Sequence, residues 1–251
     1  MPTLRALPVF AAAVVAVVAP AAGQPPEPIP VAMFVDAGVF GKGPDMLEEV
    51  AKATNDIQLK RVKAVHIRDG KLKNYRVLIV PGGTGGEQGR TLAGSGRQAV
   101  KQWVKDGGVY VGICAGCYLA STGYEWSLDL LPAKVIDKAH WERGAGTVKI
   151  EFTDAGKEVM KPVEGFAFCR YANGPILEPL PGMKDKLIPL AHFREELVPA
   201  GGAPGVMLNA PAAVAARYGK GWVIGVSPHP EQTDGLRQLV PAAIRWAVGR
   251  P

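Results

Sequence analysis

The sequence predicts an α/β fold: a mostly parallel sheet with helices on both faces and antiparallel strands added in its second half. Three observations carry this. The apolar runs YRVLIVPGG (75–83) and VYVGICAG (109–116) end at glycines, as buried central strands do. Stretches with helical spacing of apolar residues lie between such runs. From residue 148 onward, short strand-like runs follow one another closely.

The first strand is read at VAMFVDAGVF (31–40), rich in valine and phenylalanine. GPDMLEEVAKATN (43–55) is a helix: Pro44 and Asp45 suit its start, and Met46, Leu47, Val50 and Ala51 share a face. LKRVKAVHI (59–67) alternates as a second strand, and 75–83 is a third, central one. SGRQAVKQWVKDGG (95–108) is a helix with Val100, Trp103 and Val104 inward, and 109–116 is the fourth strand. The later strands are VKIEFTD (148–154), followed by a turn, then FAFCRYANGPILEPL (166–180), KLIPLAHF (186–193) and AAVAARYGKGWVIGVS (212–227). In the last of these, GKG between two apolar runs signals a hairpin. LRQLVPAAIRWAVG (236–249) closes as a helix despite Pro241. Nothing between residues 31 and 251 reads as a linker between two cores, so a single domain is expected there.

The N-terminus has another character. Arg5 precedes the short apolar stretch VFAAAVVAVVAPAAG, which ends in small residues. Residues 1–23 therefore read as a cleaved export signal, and QPPEPIP (24–30) as a Pro-rich linker. The expected location is secreted or periplasmic, with no membrane attachment after cleavage. At 47% hydrophobic, 251 residues suffice for a substantial core. The net charge of +6 is spread among acidic residues. Basic segments such as LKRVKAVHIRDGKLK (59–73) lack interleaved aromatics, which argues against a nucleic-acid partner. Three cysteines are too few for a disulfide scaffold, and the odd count leaves a thiol to explain.

Cys114 offers the explanation. GICAG (112–116) has the form Gly-x-nucleophile-x-Gly at a strand-to-helix turn, where glycines permit the bend and the central side chain is thrown out over the sheet. A helix N-terminus beside the sulfur favours the thiolate. A base is found in SPHPE (227–231): each proline biases the residue before it toward extended backbone, so His229 and Glu231 point the same way. Cys114, His229 and Glu231 then form a candidate triad of nucleophile, base and orienter. His66 and His192 read as structural, and His140 as a loop residue. PGGTGG (81–86) lacks the pattern of a phosphate loop and instead suits an oxyanion site, with the Gly83 and Ala115 amides as donors. Gly82, Gly112, Gly116, Tyr118, Tyr171 and Asn173 are expected to line the pocket. No cofactor or metal enters this scheme, because Cys169 and scattered histidines do not make a zinc site.

These motifs, PGG (81–83), GICAG (112–116) and HPE (229–231), resemble in order those of class I glutamine amidotransferase-like domains. CAGCYLAS (114–121), with an aromatic soon after the elbow, and RYANGPIL (170–177) resemble the branch that includes the N-terminal domain of biotin-protein ligases. The resemblance implies a flavodoxin-like domain with Cys114 as nucleophile, His229 as base and Glu231 as its partner. It implies neither of two activities. Tyr118 stands where glutaminases carry a polar residue that holds the substrate, and the ligase's own biotin-transfer domain has no counterpart.

Three functions stay open on the sequence. The first is a thiol-dependent hydrolase or transferase acting on a small-molecule or peptide amide or ester. The second is a binding domain that keeps the pocket without the chemistry. The third is a redox protein using the Cys114–Cys117 pair, C-x-x-C.

Overall fold

Local sequence places the first half of the chain as a parallel stack. The computed structural model describes residues 27–162 and 164–249. The expected export signal (1–23) lies outside the described residues. The chain order begins β1 (Ile29–Phe34), α1 (Gly43–Lys52), β2 (Ile57–Val62), α2 (Ala64–Arg68), β3 (Val77–Val80), α3 (Gly85–Lys105), β4 (Val109–Ile113) and α4 (Ala115–Ala120). It continues through β5 (Ala133–Val135), β6 (Ala145–Phe152), α5 (Asp154–Met160), β7 (Phe166–Ala172) and β8 (Leu177–Pro179). It ends with β9 (Ile188–Phe193), β10 (Pro211–Tyr218), β11 (Gly221–Val226) and α6 (Leu239–Val248).

Nine strands form one sheet in the order β2-β1-β3-β4-β11-β10-β9-β6-β7, while β5 and β8 pair separately. β2, β1, β3, β4 and β11 run parallel to one another. From β11 to β7 every neighbour is antiparallel. The expected class is thus observed. Side chains alternate across the sheet: Val109, Val111 and Ile113 of β4 join the core on one face, and Tyr110 the core on the other. The first core includes Leu47 of α1 and Ile244 of α6; the second includes Ile67 of α2 and Val100 of α3.

Several boundaries differ from the sequence reading, each for a local reason. β1 begins at Ile29, inside the segment read as linker, and stops at Phe34. Residues 35–40 form a loop in which the Asp36 carboxylate accepts from the Ala37 and Ala64 amides. The second strand ends at Val62, and His66 lies on α2 with its Nδ1 accepting from the Lys63 amide at 3.2 Å. A helical stretch that the glycine content concealed begins α3 at Gly85 and is broken at Ala93, where φ is 57°. The turn expected after β6 is α5, capped by Thr153 Oγ1 accepting from the Gly156 amide at 3.0 Å. The run 166–180 is two strands, divided at Asn173, where φ is 53°. Pro241 sits in the first turn of α6, where an amide has no intrahelical acceptor, so it breaks no bond.

The antiparallel half curls back on the parallel half. The last residues of β7 reach the carboxyl end of β11, where the His229 amide donates to the Arg170 carbonyl at 2.7 Å. Thr233 locks the junction: its Oγ1 accepts from the Arg170 amide at 3.0 Å and donates to the His229 carbonyl at 2.8 Å. This closure brings one end of a distant strand over the parallel strands' carboxyl ends, where ligands bind in such sheets.

Candidate active site

Cys114 follows β4 directly and is the residue at which the chain turns into α4. Its φ of 50° and ψ of −102° are strained for a residue with a side chain. Two backbone contacts require the flanking glycines. A Cβ on Gly116 would stand 2.0 Å from the Val80 carbonyl oxygen, and one on Gly112 would stand 2.3 Å from the Gly116 carbonyl oxygen. The Tyr110 hydroxyl donates to that Gly116 oxygen at 2.8 Å, fixing the bend from below.

His229 and Glu231 meet, though not through the extended backbone expected of SPHPE: Pro230–Gln232 form a short 3-10 turn that starts directly after His229. His229 Nδ1 and Glu231 Oε1 are 2.8 Å apart, and both side chains are buried. Glu231 also accepts from Gln232 Nε2 at 2.9 Å and packs at Gly43, where α1 begins. Its second oxygen, Oε2, has no hydrogen-bond partner among the described residues. A carboxylate on Nδ1 sets the proton there and leaves Nε2 as the basic nitrogen. Burial opposes protonation of His229, but hydrogen bonding and charge from Cys114 and Glu231 outweigh it and raise the imidazole to about 10. In the resting arrangement the Cys114 thiol donates to the Ala172 carbonyl at 3.4 Å. The sulfur thus sits between a carbonyl of β7 and the imidazole.

The Gly82–Gly83 turn lies across from the elbow. A Cβ on Gly82 would be 2.9 Å from His229 Cε1 and 3.8 Å from Cys114 Cβ. Gly83 has φ of 141°, and a Cβ there would stand 2.0 Å from the Gly38 carbonyl oxygen. Among the described residues, the Gly83 and Ala115 amides donate to no loop or turn carbonyl, and a first-turn amide such as Ala115 has no helical acceptor. Gly82→Ala is expected to push the His229 ring off its Glu231 contact. It should slow Cys114 alkylation by roughly tenfold or more with little loss of Tm, since the nearest atom belongs to a side chain that can move. Alkylation kinetics and a melting curve on the one variant check both parts.

These elements open into a cavity of about 530 Å³. Cys114, His229, Gly82, Gly83, Tyr118 and Asn173 line it. Gly112, Gly116 and Tyr171 do not. The two glycines serve backbone packing beneath the elbow, and Tyr171 is fully buried with its hydroxyl donating to the Gly174 carbonyl at 2.7 Å. Glu231 lies behind His229, out of the wall. The sequence reading missed Tyr124, Trp126, Lys138, Trp141 and Arg170, which also line the cavity. The signal for the aromatics among them was the composition of two loops, STGYEWSLDL (121–130) and DKAHWERG (137–144).

The other cysteines belong elsewhere. Cys117 is fully buried in the second core and Cys114 packs with the first, although both thiols are free. Burial pushes the Cys117 thiol far up, and the Cys169 thiol up to about 12. His140 pairs with Asp137 at 2.6 Å, beside the buried Arg143, and does not line the cavity.

Residues 59–140 match the family described as biotin-protein ligase, N terminal, a span that includes PGG and the elbow but stops before Arg170 and His229. The phosphoribosylformylglycinamidine synthase subunit PurQ of Leptospira interrogans is 26% identical over 199 residues, covering 73% of this chain and 84% of the relative. Among solved structures, a ThuA-like protein from Bacteroides uniformis superposes with a TM-score of 0.58 at 17% identity, over 92% of this chain and 95% of that one. A β-galactosidase from Bacillus circulans gives 0.56 at 12% identity, over 88% of this chain and 31% of the enzyme. These two show a shared fold.

Proposed function

Since the chain belongs to the glutamine amidotransferase-like superfamily, in the branch of biotin-protein ligase N-terminal domains, we propose that it is a thiol-dependent hydrolase or transferase that works through an acyl-Cys114 intermediate. One observation carries the reading: Cys114 is held at a strained turn on a cavity wall, facing a buried His229–Glu231 pair.

The chemistry then follows from position. His229 takes the thiol proton, and the sulfur attacks the carbonyl carbon of an amide or ester. The Gly83 and Ala115 amides hold the resulting oxyanion. Collapse expels the amine or alcohol, which takes the proton from His229, and the acyl group stays on Cys114. A water or an acceptor amine, deprotonated by His229, attacks the thioester and releases the acid or the transferred product. Glu231 keeps the imidazole oriented and supports its positive charge. Export through residues 1–23 is part of the same proposal and would place the reaction outside the cytoplasm.

A second reading is a binding domain without turnover. The resting thiol donates to the Ala172 carbonyl, and Tyr118 occupies part of the wall, which favours it. An activated ester separates the two. With p-nitrophenyl acetate and rapid acid quench, an acetyl group should be found by peptide mass spectrometry on the Cys114 peptide and be absent from Cys114→Ala. Acetylation confined to surface lysines would leave only the binding domain.

A further inference from the structure

The cavity wall has a one-sided charge. Among the described residues that line it are Lys138 and Arg170, and no carboxylate. The two cations differ in their commitments. Lys138 Nζ donates to the Gly123 carbonyl at 2.8 Å and stands 4.1 Å from the Tyr124 ring centre. Arg170 has its main chain pinned on both sides, by the His229 amide and by Thr233 Oγ1. Its guanidinium has no hydrogen bond, ion pair or ring partner among the described residues.

The position of that guanidinium follows from β7. Side chains in a strand alternate, and burial along β7 does so: Cys169 and Tyr171 are buried while Arg170 is exposed. Arg170 therefore shares the outward face with Ala172, whose carbonyl receives the Cys114 thiol at 3.4 Å. A fixed backbone presents an uncommitted guanidinium on the wall of the cavity that Cys114 also lines, and no carboxylate among the described residues lines that cavity to satisfy it. Such a fork matches a carboxylate in two parallel hydrogen bonds. Tyr124 and Trp126, which also line the cavity, stack with centres 4.3 Å apart at 18° and offer an apolar aromatic surface.

We propose that this site selects acyl donors bearing a carboxylate close to the scissile carbonyl, with Arg170 holding the carboxylate and the Tyr124–Trp126 surface taking the apolar remainder. The proposal rests on the reading of Cys114 as the nucleophile. Arg170 is then a specificity-determining residue, and neutral amides of the same size are poor substrates.

Two alkylating reagents of nearly equal size test it. Iodoacetate carries the carboxylate and iodoacetamide does not. Rates at Cys114 are read by peptide mass spectrometry for wild type, Arg170→Gln, Arg170→Lys and Lys138→Gln, with free cysteine as the reference. The quantity of interest is the iodoacetate-to-iodoacetamide ratio, which a general change in thiol reactivity leaves alone. Wild type should exceed the free-cysteine ratio by roughly tenfold at low salt, and less at high salt. Arg170→Gln should remove most of that excess and Arg170→Lys should keep part of it. The His229 imidazolium also attracts anions, so an excess that survives Arg170→Gln overturns the assignment to Arg170. So does a loss seen only with Lys138→Gln. A wild-type ratio equal to that of free cysteine overturns the proposal while leaving the nucleophile intact. Failure of both reagents at Cys114 removes the nucleophile, and the proposal with it.

Discussion

Alanine in place of His229 is expected to slow acylation of Cys114 by about 10²- to 10⁴-fold, the usual contribution of a positioned acid–base group. The variant removes the acceptor for the thiol proton and the positive charge beside the sulfur. It also leaves the fully buried Glu231 without its ring partner, so a loss of stability accompanies the loss of rate. Single-turnover acetylation measures the first effect and thermal unfolding the second. The double variant His229→Ala with Glu231→Gln separates them, since it removes the stranded carboxylate while leaving the sulfur without a base. Its stability should recover and its rate should not. The stability effect has a definite pH dependence. A histidine raised from 6.5 to about 10 contributes fully below 6.5, and its contribution fades as pH climbs through 10. The wild-type margin over the double variant should therefore narrow from pH 6.5 upward. A margin that widens over this range would contradict the sign.

Gly116→Ala is the variant expected to unfold the domain most readily. Its Cβ would lie 2.0 Å from the Val80 oxygen and 2.8 Å from the Val80 carbonyl carbon. Those atoms belong to the end of β3, whose Val80 is paired with Gly112 of β4. The obstacle is sheet backbone, which cannot swing aside as a side chain can. We expect a loss of about 3 kcal/mol, at the upper end for overpacking, and with it a fall in Tm of roughly 10 °C. Gly94→Ala is the matched control. A Cβ at Gly94 meets nothing within 4 Å, and its φ lies outside the left-handed region. Its effect should stay within about 0.5 kcal/mol. Equal melting of the two variants would mean that the elbow tolerates a side chain at position 116.

What the sequence conveyed about the fold was mostly local. Continuous apolar runs marked β3 and β4, because strands covered on both faces have no polar side to show. The pairing of His229 with Glu231 was legible from SPHPE, but the extended alternation read there is in fact a 3-10 turn over Pro230–Gln232. Pocket membership was harder. Tyr171 reads as a pocket residue in the sequence but is buried in the core, while Arg170, Ala172 and Asn173 line the cavity. Arg170 was hidden by its place in the sheet. β7 lies at the far end of the sheet order, and only the curl of the antiparallel half returns it to the elbow. Pairings that distant leave no mark in a short window of sequence. The aromatic surface likewise depends on where the loop after α4 packs, although its composition was visible.

The reactivity of each cysteine as a function of pH tests the central claim most directly. Protein isolated without reductant is labelled with iodoacetamide between pH 5 and 10, beside His229→Ala, and the three thiols are read separately by peptide mass spectrometry. The expected result is fast labelling of Cys114 alone at and below neutral pH, slowed in His229→Ala. Cys117 and Cys169 should stay inert, since both are buried and their thiols are pushed up. Labelling of Cys114 at the rate of an ordinary thiol, unchanged by the loss of His229, would contradict an activated nucleophile and leave the cavity as a binding site.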